Sequence, residues 1–438
     1  MSIFFSRRHM MQAGLGGAAL LALPGSAQAA SVSNPLKRAG AAFNNAGRID
    51  WQKAANVPSG YGAVAYGQNI GTYYKMETAT LSGSGSNFDL TSPTAVKGVG
   101  TAPGATGLGA TLTKHVGNPA WSPDGKYIAF QAQIPSVPSL YNNVCEPGIG
   151  TFNDVYIVMT SSPYTVTKLT SGITYPASGD PQGVLHPHWS HSKHGSANVY
   201  TVLWAERVSD GSGPYPPQGG KWTIKARTVN TTTGALGSIV DLDPFPSTDY
   251  FYETHAFSPD DGTFYFTRGS NNSGSLDYDI YRVPTSYDAS TGAISFGTPV
   301  NQIPDSWDYT KNQSGATIVG WDEHAIARQG DGAIVWMSSK GRQGTAPLGV
   351  RELAWNTSTL LVQSEFWKMN ADASNWTTGG TVQLTDFNAD TGSRWISSDF
   401  AWDPDPATPT RFIGRVQRYY PYALPIFHQE RFYMVSGV

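Results

Sequence analysis

One phrase recurs along this chain, and it constrains the fold more than any other feature. Its fullest form is Pro119-Ala120-Trp121-Ser122-Pro123-Asp124-Gly125-Lys126-Tyr127-Ile128-Ala129-Phe130. It returns as Pro187-His188-Trp189-Ser190 and as His255-Ala256-Phe257-Ser258-Pro259-Asp260-Asp261-Gly262-Thr263-Phe264-Tyr265-Phe266. Weaker copies are His324-Ala325-Ile326, running on to Asp331-Gly332-Ala333-Ile334-Val335-Trp336, and Phe400-Ala401-Trp402-Asp403-Pro404-Asp405. The anchors at 121, 189, 257, 326 and 402 stand 68, 68, 69 and 76 residues apart. Each copy reads as a hairpin. An aromatic ends one strand, Pro fixes φ in the turn, Gly is free to take φ > 0, and an alternating apolar strand leaves.

A second phrase follows each hairpin: Asp154-Val155-Tyr156-Ile157-Val158-Met159, Trp222-Thr223-Ile224-Lys225, Asp279-Ile280-Tyr281-Arg282-Val283 and Glu365-Phe366-Trp367-Lys368-Met369. Thr72-Tyr73-Tyr74-Lys75-Met76 and Arg431-Phe432-Tyr433-Met434-Val435 bring the copies to six. An outer Leu-Thr strand, as in Leu169-Thr170 and Leu384-Thr385, completes a four-stranded meander. Composition agrees, with 48 Gly, 29 Pro, 12% aromatic residues and 14% charged ones against about 25% charged in an average domain. The chain reads as all-β, a β-propeller of six four-stranded blades spanning residues 30–438, with seven or five blades as alternatives. The last blade lacks an outer strand, so the segment from about Ser33 to Gln52 is the expected donor, closing the ring without an open edge. The Gly/Ser/Thr-rich stretch from Ser82 to Thr113 reads as a long loop.

Residues 1–29 read as a cleavable export signal: Arg7-Arg8, an apolar stretch from Ala13 to Leu23, then Ala27-Gln28-Ala29. The paired arginines resemble a twin-arginine (Tat) signal, with an ordinary Sec signal as the alternative. The destination is the periplasm or the exterior. Removing Arg7 and Arg8 takes the formal charge from −3 to −5. That acidity and the lack of a basic run argue against nucleic acid. No transmembrane segment is expected. The single cysteine, Cys145, cannot form an intrachain disulfide. Oligomeric state is left open.

The phrase Ala120-Trp121-Ser122-Pro123-Asp124-Gly125-Lys126 resembles the repeat of TolB-type, WD40-like (PD40) propellers. The resemblance implies the fold over most of the chain and no activity, since such propellers include scaffolds, peptidase lids and polysaccharide lyases. The lyase branch resembles oligogalacturonate lyases, where histidines at blade entrances bind a metal.

Residues just before the innermost strands of a propeller gather around one mouth of the channel. Here they are His186-Pro187-His188, Tyr252-Glu253-Thr254-His255, Trp321-Asp322-Glu323-His324 and Asp399. The second and third phrases align as aromatic, acid, x, His at a distance of 69. Imidazoles with carboxylates suit a divalent metal (Ca, Mn or Zn) or acid–base work. By the resemblance, His188, His255 and His324 are the metal or base candidates, with Glu253, Asp322 and Glu323 as ligands or orienters. His186, Asp399, Tyr252 and Trp321 are candidate ligand-binding residues. The same positions also suit hydrogen bonds that lock one blade to the next. His191 and His194 read as a surface turn, Glu206-Arg207 as a strand-end ion pair, and Asp241, Asp243, Asp403 and Asp405 as turn chemistry. The tail aromatics Tyr419, Tyr420, Tyr422, Phe427 and Tyr433 read as inter-blade core, and Cys145 has no motif around it. Two functions fit: a propeller binding a glycan, peptide or protein partner at its mouth, or a metal-assisted polysaccharide lyase or hydrolase.

Overall fold

A computed structural model describes residues 30–42, 46–70, 73–99, 114–138, 141, 145–171, 173–175, 182–209, 220–246, 250–270, 278–302, 322–328, 331–338, 364–370, 381–387, 394–405, 410–419 and 428–438. The chain opens with a short strand, β1 (Ser31–Val32). Blade one holds β2 (Lys37–Arg38), β3 (Ala41–Ala42), β4 (Ala46–Trp51), β5 (Val64–Asn69), β6 (Tyr74–Ser84) and β7 (Asn87–Ala95). Blade two is β8 (Val116–Trp121), β9 (Tyr127–Gln133), β10 (Asn153–Met159) and β11 (Val166–Lys168). Blade three is β12 (Gly183–Trp189), β13 (Tyr200–Ser209), β14 (Lys221–Val229) and β15 (Leu236–Asp241). Blade four is β16 (Tyr250–Phe257), β17 (Thr263–Ser270), β18 (Tyr278–Tyr287), β19 (Ile294–Phe296) and β20 (Val300–Asn301). Blade five is β21 (Asp322–Ala327), β22 (Ile334–Ser338), β23 (Glu365–Met369) and β24 (Val382–Gln383). Blade six is β25 (Arg394–Trp402), β26 (Arg411–Tyr419) and β27 (His428–Ser436), with β1 as its outermost strand. The inner strands β4, β8, β12, β16, β21 and β25 each touch the next, and β25 touches β4, which closes a six-bladed propeller.

Each hairpin phrase makes the turn between a blade's first two strands, and each second phrase falls on the third strand. In blade two, Ser122 N–H donates to the Tyr127 carbonyl at 2.9 Å, and the Ser122 hydroxyl donates to Asp124. Gly125 sits at φ 70°. Blade four repeats the turn, but Asp261, at φ 58°, takes the left-handed position. Asn, Asp and Gly tolerate that region best. The Trp189 indole donates to the Ala120 carbonyl at 3.0 Å, and Trp402 donates to Ile326 at 3.3 Å. The turn aromatic therefore fastens each of these blades to the one before it.

Closure differs in detail from the sequence expectation. The donor is Ser31–Val32, paired with Ser436 and Val435, and Ser33 and Leu36 extend the bonding to Met434 and Phe432. Most of the Ser33–Gln52 segment instead builds blade one, including its innermost strand. Two blades exceed four strands: blade one has six and blade four has five. Residues 82–95 belong to the long hairpin β6–β7 rather than a loop, while 100–113 lie outside the described residues. Among the described residues, no helix is long and apolar enough to cross a membrane. The proposed signal at 1–29 lies outside them.

Candidate functional site in the channel

Every inner strand carries a β-bulge, placed within one residue of the same register position. The pairing slips between Ala46 and Ile49, Gly117 and Ala120, Leu185 and His188, Thr254 and Ala256, Glu323 and Ile326, and Ser397 and Phe400. A bulge puts two residues against one and re-aims a side chain. Counted back from the last pair before each turn, the equivalent residues are Arg48, Asn118, His186, Thr254, His324 and Asp399. Asn118, His186 and His324 hold φ of 52°, 46° and 57°. Non-glycine residues there cost about 1–3 kcal/mol each unless their surroundings over-determine them, and such strain concentrates at functional sites.

Three ligand-type side chains converge on the axis. Nitrogen atoms of His186 and His324 and a carboxylate oxygen of Glu253 all lie within 4.8 Å of one another. His186 Nδ1 is 2.7 Å from Glu253 Oε1, and His324 Nδ1 is 3.6 Å from that oxygen and 3.6 Å from Asp399 Oδ1. All are buried, with 4%, 5% and 8% exposure for His186, Glu253 and His324, so none is freely hydrated. The 2.7 Å separation is hydrogen-bond length, yet the alignment is poor, and Glu253 Oε1 has no hydrogen-bond donor among the described residues. A buried carboxylate oxygen left this way is costly. Burial works to raise the Glu253 carboxyl, but the His186 and His324 rings outweigh it and hold it down to about 2. Asp399 is likewise held well below the usual carboxylate range: burial opposes this, and His324, His186 and Arg415 override it.

His188 and His255, expected as ligands beside His324, are engaged elsewhere. Arg48 Nη2 lies 3.0 Å from His188 Nδ1 and 2.7 Å from Nε2, while Nε2 is 2.9 Å from the Thr254 carbonyl. A guanidinium only donates. The consistent assignment is a neutral ring that donates from Nε2 to Thr254 and accepts at Nδ1 from Arg48. His255 Nε2 accepts the His324 backbone N–H at 3.2 Å and meets the Thr267 hydroxyl at 2.6 Å. Burial, then the Arg48 charge, keeps His188 well below the ordinary imidazole range, and burial does the same for His255.

Arg48, His186, His188, His255, His324 and Asp399 wall a small cavity on the axis. Sequence reasoning missed Arg48, although Trp51 stands 70 residues before Trp121 and marks the same register. It is buried, 3.9 Å from Asp399 at Nε, and its Nη1 has no hydrogen-bond partner among the described residues. Arg415, also unforeseen, donates to Asp399 Oδ2 at 3.1 Å and pairs with Glu430. Gln131 supports the ring from behind, accepting the His186 N–H at 2.8 Å and bonding Asn118.

The remaining expected residues are placed as follows. Tyr252 is buried between blades, its ring edge-on to Phe266 and its hydroxyl donating to Asp243 at 3.3 Å. Asp322 and Glu323 lie in β21, paired through their backbones with Ser338 and Met337. Their side chains, and all of Trp321, lie outside what is described. The blade-five phrase is one residue out of the expected register: His324 is equivalent to Thr254, not to His255, because the last pair before the turn is Ala327–Ile334 there and Phe257–Phe264 in blade four. The His191 turn lies at the surface, with His191 and Ser192 exposed, and is fastened to the next blade. Buried Asp261 of blade four accepts the N–H groups of His191 and Ser192 at 2.7 Å and meets His194 Nε2 at 3.1 Å. Glu206 pairs with Lys225 at 2.6 Å, not with Arg207. Tyr433 is core, while Tyr420, Tyr422, Phe427 and the Tyr419 side chain lie outside the described residues.

No protein-family model matches the chain, and no curated protein matches it in sequence. Among solved structures it is similar to an oligogalacturonate lyase in complex with manganese, at 9% identity over 93% of this chain and 96% of that one, TM-score 0.41. It is similar to an endo-arabinase from Bacteroides thetaiotaomicron VPI-5482, at 12% identity over 73% of this chain and 93% of that one, TM-score 0.36. It is also similar to the sialidase of Trypanosoma rangeli, at 10% identity over 93% of this chain and 60% of that one, TM-score 0.44.

Proposed function

We propose that this protein is an exported, metal-assisted polysaccharide lyase acting on an acidic glycan, with its metal held in the channel by His186, Glu253 and His324. The observation that carries this reading is the convergence of those three ligand atoms around an oxygen with no hydrogen-bond donor. Ligands about 2.0–2.2 Å from one ion can stand no more than roughly 4.4 Å apart, and the separations of 2.7 and 3.6 Å fall inside that reach. A blade lock would align a donor on Glu253 Oε1; here His186 Nδ1, 2.7 Å away, is poorly aligned to donate to it. Two imidazoles with one carboxylate suit Zn, Mn or Fe better than Ca, which takes about 6–8 oxygens.

A metal bound there would polarise a substrate carboxylate and acidify the proton α to it. Arg48 supplies the protein's own anion contact: its unpartnered Nη1 would donate to the same carboxylate, while Nη2 stays on His188. Asp399, tied to Arg415 and facing His324, fixes that ring's orientation. Elimination fits better than hydrolysis by two free carboxyls, since Glu253 and Asp399 are both committed to histidines and arginines. The uronide substrate class comes from the resemblance of the hairpin phrase to TolB-type propellers and their lyase branch. The twin-arginine signal and the export route belong to the same proposal.

The test is incubation of the mature protein with acidic and neutral polysaccharides, with and without chelator. New ultraviolet absorbance from a carbon–carbon double bond, on acidic polymers only and abolished by chelator, is expected. Binding of a glycan or protein partner with no chemistry and no metal would replace this reading by that of a binding propeller.

A further inference from the structure

Two groups in the wall of the channel cavity are firmly held and still have a donor to spare. The first is His255. Pairing in blade four passes from Thr254–Phe266 to Ala256–Tyr265, so the bulge leaves His255 without a ladder partner. Its ring is 2% exposed, lines the cavity and stands 5.4 Å from the His324 ring, centroid to centroid. Its Nε2 accepts the His324 backbone N–H at 3.2 Å. A backbone N–H only donates, so Nε2 carries no proton, and the Thr267 hydroxyl at 2.6 Å donates to the same nitrogen. The ring is therefore the neutral tautomer with its proton on Nδ1. That Nδ1–H has no acceptor among the described residues.

The second is Arg48, which sits inside the bulge of blade one and walls the same cavity. Its Nη2 is held by His188 and its Nε stands 3.9 Å from Asp399, while Nη1, in a residue 8% exposed, has no partner. A guanidinium N–H left bare in the interior is costly unless a ligand takes it. Glu253 and Asp399 bring negative charge to this ring of side chains. They repel an anion until a divalent cation sits among His186, Glu253 and His324.

We propose that His255 Nδ1–H and Arg48 Nη1 together grip the ligand's carboxylate, so that the site takes uronides whose carboxylates are free and refuses their methyl esters. This rests on the lyase reading above and names the form of its substrate. A carboxylate has two oxygens and about four lone-pair sites, so it takes both donors and still has a lone pair for the metal. Neither donor gives up a bond that the fold uses. An ester loses the charge and covers one oxygen with a methyl group, which strands the buried guanidinium; stranding a buried polar group is what gives a site sharp discrimination. With Nδ1 protonated and Nε2 occupied, His255 acts as a donor and takes no proton from the substrate.

Calorimetry on the full mature protein loaded with manganese, with glucuronate, its methyl ester and glucose as probes, tests this without any turnover. Wild type should bind glucuronate at least about 10-fold more tightly than either neutral probe, and the manganese-free protein should bind it more weakly. His255→Gln offers an amide oxygen to the His324 N–H and no donor at the Nδ1 position. It should keep its manganese affinity within a few-fold and lose about 10-fold or more in glucuronate affinity, with its weak binding of the ester unmoved. His255→Asn, whose amide nitrogen lies as far along the side chain as Nδ1, should recover part of that loss. No wild-type binding of glucuronate, equal wild-type affinity for glucuronate and its ester, or a His255→Gln that binds glucuronate like wild type would overturn the grip. The wild-type comparison decides alone if a variant fails to fold. Glucuronate bound with this preference by a protein that cleaves no uronide polymer would overturn the lyase reading and leave the grip standing.

Discussion

At the scale of single residues, the site is a division of labour among groups that look alike in sequence. His186 and His188 are two positions apart, yet one faces Glu253 and the other Arg48 and the Thr254 carbonyl. The bulge between Leu185 and His188 is what separates their roles. Replacing Glu253 by Gln keeps the shape and removes the charge, so manganese affinity measured by calorimetry should fall at least about 10-fold, while His188→Gln should leave it within a few-fold. Equal losses in the two variants would contradict this assignment. That histidines and acids cluster near the inner strands was readable from spacing. Which of them converge was not, because a one-residue slip exchanges the side chains facing the axis, and no periodicity in the text of the sequence marks a bulge. Arg48 was missed because blade one has no clean copy of the hairpin phrase to flag its inner strand.

At the scale of elements, the hairpin phrase does two jobs, turning the chain and fastening neighbouring blades. Trp189 stacks edge-on against Tyr200 and donates to Ala120 of the preceding blade. Trp189→Phe keeps most of the burial and loses that bond, so urea unfolding should report a loss of about 1 kcal/mol. An unchanged midpoint would mean the latch contributes nothing. Gly150, at φ 76°, packs where a Cβ would run into the Val184 carbonyl of blade three. Gly150→Ala should therefore destabilise by more than the roughly 1 kcal/mol of an ordinary glycine replacement. The third strands were legible because each pairs an aromatic or β-branched alternation with a fixed distance from the turn. The hairpin β6–β7 was not, because its Ser- and Gly-rich text reads as a loop, and what holds it is pairing together with the burial of Phe88 and Leu90.

At the scale of the whole molecule, two properties follow from closing six blades around a polar axis. Ring closure depends on β1 and Leu36, which is 1% exposed. A form beginning after residue 36 should melt at lower temperature and aggregate through the edge of β27; an unchanged melting temperature would contradict closure by this segment. The axis also makes stability depend on pH. Burial keeps His188, His255 and His324 below their ordinary range. The folded protein then binds fewer protons than the unfolded chain below about pH 6.5. Stability is complete above that value and declines as the pH falls, by up to about 1.4 kcal/mol per pH unit for each such histidine. Glu253, held down to about 2, keeps its contribution until the pH falls below the usual carboxylate range. Denaturation midpoints of the metal-free protein should therefore drop between pH 7.5 and pH 5.5, and a flat profile would mean the rings are not buried neutral.

Elemental analysis of the mature protein, purified without chelator or histidine tag, beside Glu253→Gln and a His186→Ala, His324→Ala double variant, decides whether the channel holds a metal. About one equivalent of a transition metal is expected in the wild type, absent from both variants while their folded spectra persist. A wild type that carries no metal and takes up none on dialysis against zinc or manganese would contradict it, and would make the cluster of His186, Glu253 and His324 a lock between blades.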